Sequence, residues 1–197
     1  MKILNLYAGI GGNRRLWGNE HEITSVEFDE NIAEVYNQKF SNDKLIVGDA
    51  KEYLLKNYRN FDFIWASPPC QSHSKIINSQ YTRESYRAKY PDMSLYEIIL
   101  FLQGHCRDKK WVVENVIPYY EPLIKPTVEI DRHLYWSNFY IPKIQSSKDY
   151  IIKYVKVADG CDILQKSKIK NKRQVIRNQV NAEIGLHILN SIQKSLF

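Results

Sequence analysis

A doubly wound, mostly parallel α/β sheet is the fold this sequence predicts. Short apolar runs of strand length alternate with stretches of helical spacing, and most runs stop at glycine, acid or proline punctuation. The 197 residues are 44% hydrophobic, 13% aromatic and 25% charged, which suits one folded domain and excludes a disulfide-stapled miniature or a disordered chain.

Lys2 to Tyr7 reads as the first strand, followed by the glycine turn Ala8-Gly9-Ile10-Gly11-Gly12 and a helical stretch. Ile23 to Phe28 is the second strand. Asp29 then opens a helix whose Ile32, Ala33, Val35, Tyr36 and Phe40 recur at helical spacing. Leu45 to Val47 is a short third strand ending at Gly48-Asp49, and Lys51 to Tyr58 a short helix. Phe61 to Ala66 is a buried strand stopped by Ser67-Pro68-Pro69, and a long polar loop follows to Tyr90. Ser94-Leu95-Tyr96-Glu97 has the pattern of a capping box and predicts a helix to about Cys106. Trp111 to Val113 is the next strand, with strand-like pieces at Leu134 to Ile141 and Tyr150 to Val157, and a final helix from about Asn181 to Ser195.

Lys143 to Arg177 holds ten Lys and Arg against three Asp, so the other 162 residues sum to −1 of the net +6. A basic stretch beside a near-neutral body is the electrostatic footprint of a nucleic-acid binder, or else a solvated face. Cys70, Cys106 and Cys161 are too few and scattered for a disulfide framework, so they are expected to be free thiols. No window reaches the roughly 18–20 apolar residues of a membrane span, and Met1-Lys2-Ile3-Leu4-Asn5 enters a strand with no signal peptide. A soluble, cytoplasmic protein is expected, associated with the nucleoid if it binds DNA.

In a doubly wound sheet, ligands sit at the carboxyl ends of the strands. At the first end, the glycines allow close backbone approach and present N–H groups, although a tight structural turn explains them equally well. Arg15 stands where a dinucleotide fingerprint would want glycine. Glu27 and Asp49 follow the second and third strands. Each reads singly as a helix N-cap or surface acid, and together with the glycine turn they describe an adenosine site without a pyrophosphate grip. Ala66-Ser67-Pro68-Pro69-Cys70-Gln71-Ser72 is the most specific signal, because two prolines present the Cys70 thiol rigidly as a nucleophile. Metal binding by Cys70 with His73 lacks a second ligand pair, so no metal is expected. Glu114, directly after Trp111-Val112-Val113, is a proton carrier if partly buried and otherwise a helix cap.

The ordered set Tyr7-Ala8-Gly9-Ile10-Gly11-Gly12, Ser67-Pro68-Pro69-Cys70-Gln71 and Glu114-Asn115-Val116 resembles the C5-cytosine DNA methyltransferases, in the compact form found in phage and bacterial genomes. The resemblance covers Met1 to about Phe139 and resumes near Asn178 to Ile188. It implies the Rossmann-like fold of S-adenosylmethionine-dependent methyltransferases, with S-adenosylmethionine as cofactor and double-stranded DNA as substrate. By this resemblance Cys70 adds to C6 of a flipped cytosine while Glu114 contacts N3. An enzyme that works on C5 must extrude the base from the duplex. Tyr7, Ala8, Gly9, Gly11, Gly12 and Glu27 would hold methionine and ribose, Asp49 the adenine amine, and Pro69 the far side of the cofactor. Gln71, Ser72, Lys75, Arg83, Arg87 and Lys89 form a basic loop beside the nucleophile, suited to closing over a DNA backbone.

The sequence also departs from the family pattern. The usual glutamine and two spaced arginines appear only as Glu129-Ile130-Asp131-Arg132-His133, so Arg132 supplies one guanidinium for the base carbonyl or a phosphate, with His133 replacing the second. The late Gly-Asn-Ser-Val element is matched by Asn178 and Val180 alone, which would complete the cofactor site. The expected organisation is a catalytic core over 1–142, a short basic segment over 143–177 in place of a target-recognition domain, and a helix over 178–197 returning to the core. Lys166, Lys168, Lys170, Lys172 and Arg173 would then contact nucleic acid, with a minimal module or a second protein chain reading the sequence. An RNA cytosine methyltransferase and a non-catalytic DNA-binding subunit are the alternatives.

Overall fold

The computed structural model describes residues 1–75, 87–144 and 161–194. Seven strands form one sheet: β1 (Lys2–Leu6), β2 (Glu22–Glu27), β3 (Lys44–Val47), β4 (Phe63–Ala66), β5 (Lys110–Val116), β6 (Val128–Ile130) and β7 (His133–Ser137). Their order is β3-β2-β1-β4-β5-β7-β6. The first five run parallel, and β7 is antiparallel to both β5 and β6. The predicted doubly wound, mostly parallel class is the class found.

Strand periodicity sends alternate residues to opposite faces. On β4, Ile64 and Ala66 join the core under α2 (Ala50–Asn57) and α3 (Ser94–His105), where Leu54, Ile99 and Leu102 pack. Phe63 and Trp65 face the other way, onto Ile184, Ile188 and Ile192 of the terminal helix α6 (Ala182–Lys194) and onto Trp17. Burial on both faces is why these strands read as unbroken apolar runs.

Several expectations are corrected. The stretch after the glycine turn is only a single 3-10 turn, Asn13–Leu16, because the terminal helix fills that face of the sheet. At Gly185 a Cβ would stand 2.3 Å from the backbone oxygen of Asn13, so the helix docks there by direct backbone approach. The capping box is not formed: Met93 is the cap residue without a side-chain bond, Asp92 Oδ1 accepts the Ser94 N–H at 3.0 Å, and Glu97 pairs with Lys51. Trp111–Val113 extends to Val116 because β7 supplies a ladder partner beyond the end of β4. The helix α1 (Glu30–Lys39) starts where expected, with Asp29 accepting the N–H groups of Asn31 and Ile32.

Two short helices, α4 (Cys161–Lys166) and α5 (Lys172–Arg177), were not foreseen. Ile163, Leu164, Ile169, Val175 and Ile176 gather with Ile10 of the glycine turn and with Ile32 and Val35 of α1. The strand expected at Tyr150 to Val157 lies outside the described residues, as do Arg83 and the end of the terminal helix beyond Lys194.

Candidate active site at the carboxyl edge of the sheet

The carboxyl ends of β1 to β5 place the candidate residues along one edge. At the end of β1, Tyr7 turns the chain through a left-handed φ of 57°, a conformation that costs a non-glycine residue about 1–3 kcal/mol and clusters at functional sites. Its phenol is half-buried and lies near Asp49, Asp92 and Glu97; burial, then those acids, pushes its pKa up. Ala8 is buried and donates its N–H to Val26 at 3.0 Å. Gly9 (φ 55°) donates to Glu27 Oε2 at 2.8 Å, and Gly11 donates to Ala8 at 3.0 Å. Gly12 abuts the backbone of Val180: a Cβ there would lie 2.6 Å from its carbonyl oxygen.

Glu27 is oriented by three N–H groups. Oε1 accepts from Phe28 at 2.9 Å and from Asp29 at 3.0 Å, and among the described residues Oε2 accepts from Gly9 alone. One acceptor direction on Oε2 therefore remains for a ligand hydroxyl. Phe28, beside it, is 76% exposed. Sequence reasoning missed this ring; its signal is a large apolar residue standing between a strand-end acid and a helix N-cap. Asp49 does cap a helix, with Oδ1 accepting the Glu52 N–H at 2.8 Å, which leaves Oδ2 for other use. Val180 is buried against Gly12 and so links the late element to the glycine turn, whereas Asn178 is exposed at the end of α5.

The nucleophile candidate is held from behind. Pro68 is buried and Pro69 exposed, and the buried Asn115 donates from Nδ2 to the Pro68 carbonyl at 3.0 Å. Asn115 is thus a positioning residue to which the sequence assigned no role. The Cys70 carbonyl accepts the N–H groups of His73 and Ser74, both at 3.1 Å, winding a turn on the nucleophile's own peptide. Burial, then the nearby Glu114 carboxylate, pushes the Cys70 thiol up to about 11. At neutral pH Cys70 is therefore a thiol rather than a thiolate.

Glu114 lies within β5 rather than after it, one residue beyond the last pairing with β4 and opposite Tyr135 of β7. Burial raises its pKa; His133, with Nε2 at 3.4 Å from Oε1, and a hydrogen bond with Ser67 lower it in part. Trp65 holds Ser67 in turn, its Nε1–H donating to Oγ at 2.8 Å. His133 stands against Glu114, while Arg132 is exposed at the tip of the β6–β7 hairpin with its carbonyl accepting the Ile117 N–H. Tyr135 is fully buried, and its hydroxyl has no hydrogen-bond partner among the described residues.

Of the expected nucleic-acid contacts, Gln71, Lys75, Arg87, Lys89, Lys166, Lys168, Lys170 and Arg173 are exposed. Lys172 is half-buried and donates to the Gln165 carbonyl, and Ser72 accepts the Asp92 N–H at 2.8 Å. Among the described residues no group of three or more His, Cys, Asp or Glu is placed to hold a metal, and no helix is long and apolar enough to cross a membrane.

Residues 1–98 match the family model described as C-5 cytosine-specific DNA methylase. This part of the chain belongs to that family. Solved structures similar to this chain include a mutant of Spodoptera frugiperda DNMT2, at 27% identity over 58% of this chain and 35% of that one, with a TM-score of 0.41. The Entamoeba histolytica methyltransferase EhMeth is 16% identical over 78% of this chain and 59% of that one, at a TM-score of 0.46. A SAM-dependent methyltransferase from Agrobacterium tumefaciens is 15% identical over 61% and 40% of the two chains, at a TM-score of 0.38. The chain spans about a third of the length of the Spodoptera protein and less than two thirds of the other two. No curated protein matches it.

The family's cofactor is S-adenosylmethionine, and the residues present fit it. Glu27 keeps a free acceptor direction of the kind a ribose hydroxyl needs, the Phe28 ring offers a flat face for a purine, and the Gly9 turn admits close backbone approach.

Replacing Glu114 tests the electrostatics of this edge. In Glu114→Gln the thiol of Cys70 should fall from about 11 part of the way to its ordinary 9.0, because burial, the larger cause, remains. The rate of iodoacetamide alkylation against pH measures this, and an unmoved midpoint refutes it. A carboxyl with a raised folded pKa contributes stability that is intact below its ordinary 4.5 and lost as pH rises through the folded value. The amide variant should therefore melt above the parent protein at neutral pH.

Proposed function

We propose that the protein transfers a methyl group to C5 of a flipped cytosine in DNA through a covalent Cys70 adduct. The observation that carries this reading is the juxtaposition of a rigidly presented thiol, Cys70, with a buried carboxyl of raised pKa, Glu114, at neighbouring strand ends. Glu27, Phe28, Asp49 and the glycine turn would hold the cofactor along the ends of β1 to β3. When bound, S-adenosylmethionine supplies an electrophilic methyl group.

The residues divide the chemistry as follows. Cys70 adds to C6 as its proton passes to water, while Glu114, whose carboxyl burial biases toward the protonated form, gives its proton to N3. Electron density then collects at C5, which becomes the nucleophilic carbon. After the methyl group is attached, with the cofactor's thioether as leaving group, water takes the C5 proton and the C6–S bond breaks with its electron pair going to sulfur. The N3 proton returns to Glu114, and the Cys70 thiolate regains a proton from water. Extruding the base costs a few kcal/mol, offset by contacts in the closed site.

A duplex carrying 5-fluorocytosine tests this, because fluorine at C5 blocks proton loss and traps the adduct. With S-adenosylmethionine present, a covalent protein–DNA species that requires Cys70 is expected. Adducts on fluorocytosine RNA alone would move the substrate to RNA, and cofactor binding with no adduct would indicate a non-catalytic subunit.

The basic face of α4 and α5 is assigned to the DNA backbone. Its apolar side packs on Ile10, Ile32 and Val35, while Lys166, Lys168, Lys170 and Arg173 are exposed. Neutralising Lys166, Lys168, Lys170 and Lys172 together should weaken DNA binding and flatten its salt dependence by roughly 0.9 in slope for each lysine that met a phosphate. Cofactor affinity should hold. Unchanged DNA affinity would make this a solvated face only.

A further inference from the structure

His73 is fully buried, three residues after the nucleophile, and neither the cofactor site nor the proposed chemistry uses it. Its Nε2 lies 3.0 Å from the carbonyl oxygen of Asp92, which can only accept, so the ring carries its proton on Nε2. Nδ1 is then the acceptor for the Tyr120 hydroxyl at 2.5 Å. The Tyr120 oxygen accepts in turn from the Tyr96 hydroxyl at 3.4 Å, and the Tyr96 oxygen from the Leu123 N–H at 3.2 Å. Every donor in this chain has one direction, and burial, by lowering the pKa of His73, favours the neutral ring that the direction requires.

The ring and the backbone of His73 together join three parts of the chain. On the nucleophile's side, the His73 N–H bonds the Cys70 carbonyl at 3.1 Å. On the α3 side, Asp92 is gripped twice, by the imidazole through its carbonyl and by Ser72 Oγ through its N–H at 2.8 Å. Beyond β5, the His73 carbonyl accepts the Tyr119 N–H at 3.0 Å, and Ser74 bridges Pro118. The turn that carries Cys70 is therefore tied to the entry of α3 and to the segment after Glu114 at one residue, the imidazole reaching Asp92 and Tyr120 and the backbone of His73 reaching Cys70 and Tyr119.

The geometry points to His73 as a positioning residue that fixes the Cys70 turn against the Glu114 strand, a role resting on the covalent reading proposed above. A shift of the imidazole moves the peptide on which the Cys70 turn is wound, and small misplacements of a reacting group are costly. Apolar replacement takes the acceptor from the half-buried Tyr120 hydroxyl and the ring donor from the Asp92 carbonyl.

The test compares the parent protein with His73→Phe and His73→Gln. The phenylalanine variant should trap 5-fluorocytosine DNA about 10–100-fold more slowly, with S-adenosylmethionine affinity unchanged and faster hydrogen exchange at the Ser74 and Asp92 amides. Glutamine keeps one donor and one acceptor and should recover much of the trapping rate. Trapping by His73→Phe at the parent rate, equal loss of cofactor affinity, or no recovery with glutamine overturns the assignment. Absence of any adduct in the parent protein defeats the covalent reading instead. In that case exchange at the two amides alone decides whether His73 ties the turn, and unchanged exchange overturns it.

Discussion

Asp43→Ala is expected to destabilise the protein by about 3–5 kcal/mol, because it strips one partner from a buried ion pair. Arg14 and Asp43 are both nearly inaccessible, and the guanidinium meets the carboxylate through two bonds of 2.9 and 3.0 Å. The pair does not stand alone. Tyr36 donates to Asp43 Oδ2 at 2.6 Å and accepts from Ser25 Oγ at 2.6 Å; Ser25 accepts from Asn5, and Asn5 accepts from Asn13 at 2.8 Å. Removing the carboxylate leaves a buried cation and a buried hydroxyl without acceptors. The urea midpoint should drop with little change in slope. A loss below about 1 kcal/mol, the scale of an exposed pair, would show that the site is wetter than its burial implies. Replacing both partners by apolar residues of similar volume should cost less than the single change.

Part of this loss should reach the cofactor edge. The Arg14 guanidinium lies 5.1 Å from the centre of the Phe40 ring, and that ring occupies the space a Cβ on Gly11 would need, at 2.2 Å. Freeing Arg14 loosens the wall behind the glycine turn, so weaker S-adenosylmethionine binding should accompany the lower midpoint.

Cys70→Ala is expected to lower methyl transfer by on the order of 10⁴-fold or more, as removal of a nucleophile does in enzymes with a covalent intermediate. Cofactor binding should survive, since Cys70 follows β4 whereas the glycine turn, Glu27 and Asp49 follow β1 to β3. The folded state should also persist, because the turn is fixed by Asn115 on Pro68 and by backbone bonds that alanine retains. Radiolabelled methyl incorporation into DNA measures the first effect and calorimetric titration of the cofactor the second. Retained transfer in Cys70→Ala would exclude a covalent Cys70 path.

The strands and the site motifs were legible where the signal is local. Asp29 announces α1 by its own side chain, and Pro-Pro before Cys70 marks a rigid exit from a buried strand. What escaped depends on partners far along the chain. Asp43 finds Arg14 across 29 residues, and His73 finds Tyr120 across 47, so neither carries a local pattern. Glu114 read as following its strand because the apolar run stops at Val113; the ladder to β7, which no periodicity encodes, carries the strand to Val116. The helices α4 and α5 have six residues each, too few for helical spacing to show. Arg132 and His133 were both read from motif order, and the contact of His133 with Glu114 is visible only in the fold.

The contact between Gly12 and Val180 sets a timetable for synthesis. Gly12 emerges among the first residues of the chain, yet the wall it leans on, and the helix that seats Gly185 against Asn13, are made near the end. Contacts of such separation close late and slowly. On the ribosome the parallel strands can pair while the glycine turn is still open on one side, exposing Ile10 and Val35 until α4 and α5 arrive. Competence to bind the cofactor thus waits for Val180 and the helix after it, and a nascent chain that already carries Cys70 still lacks that wall.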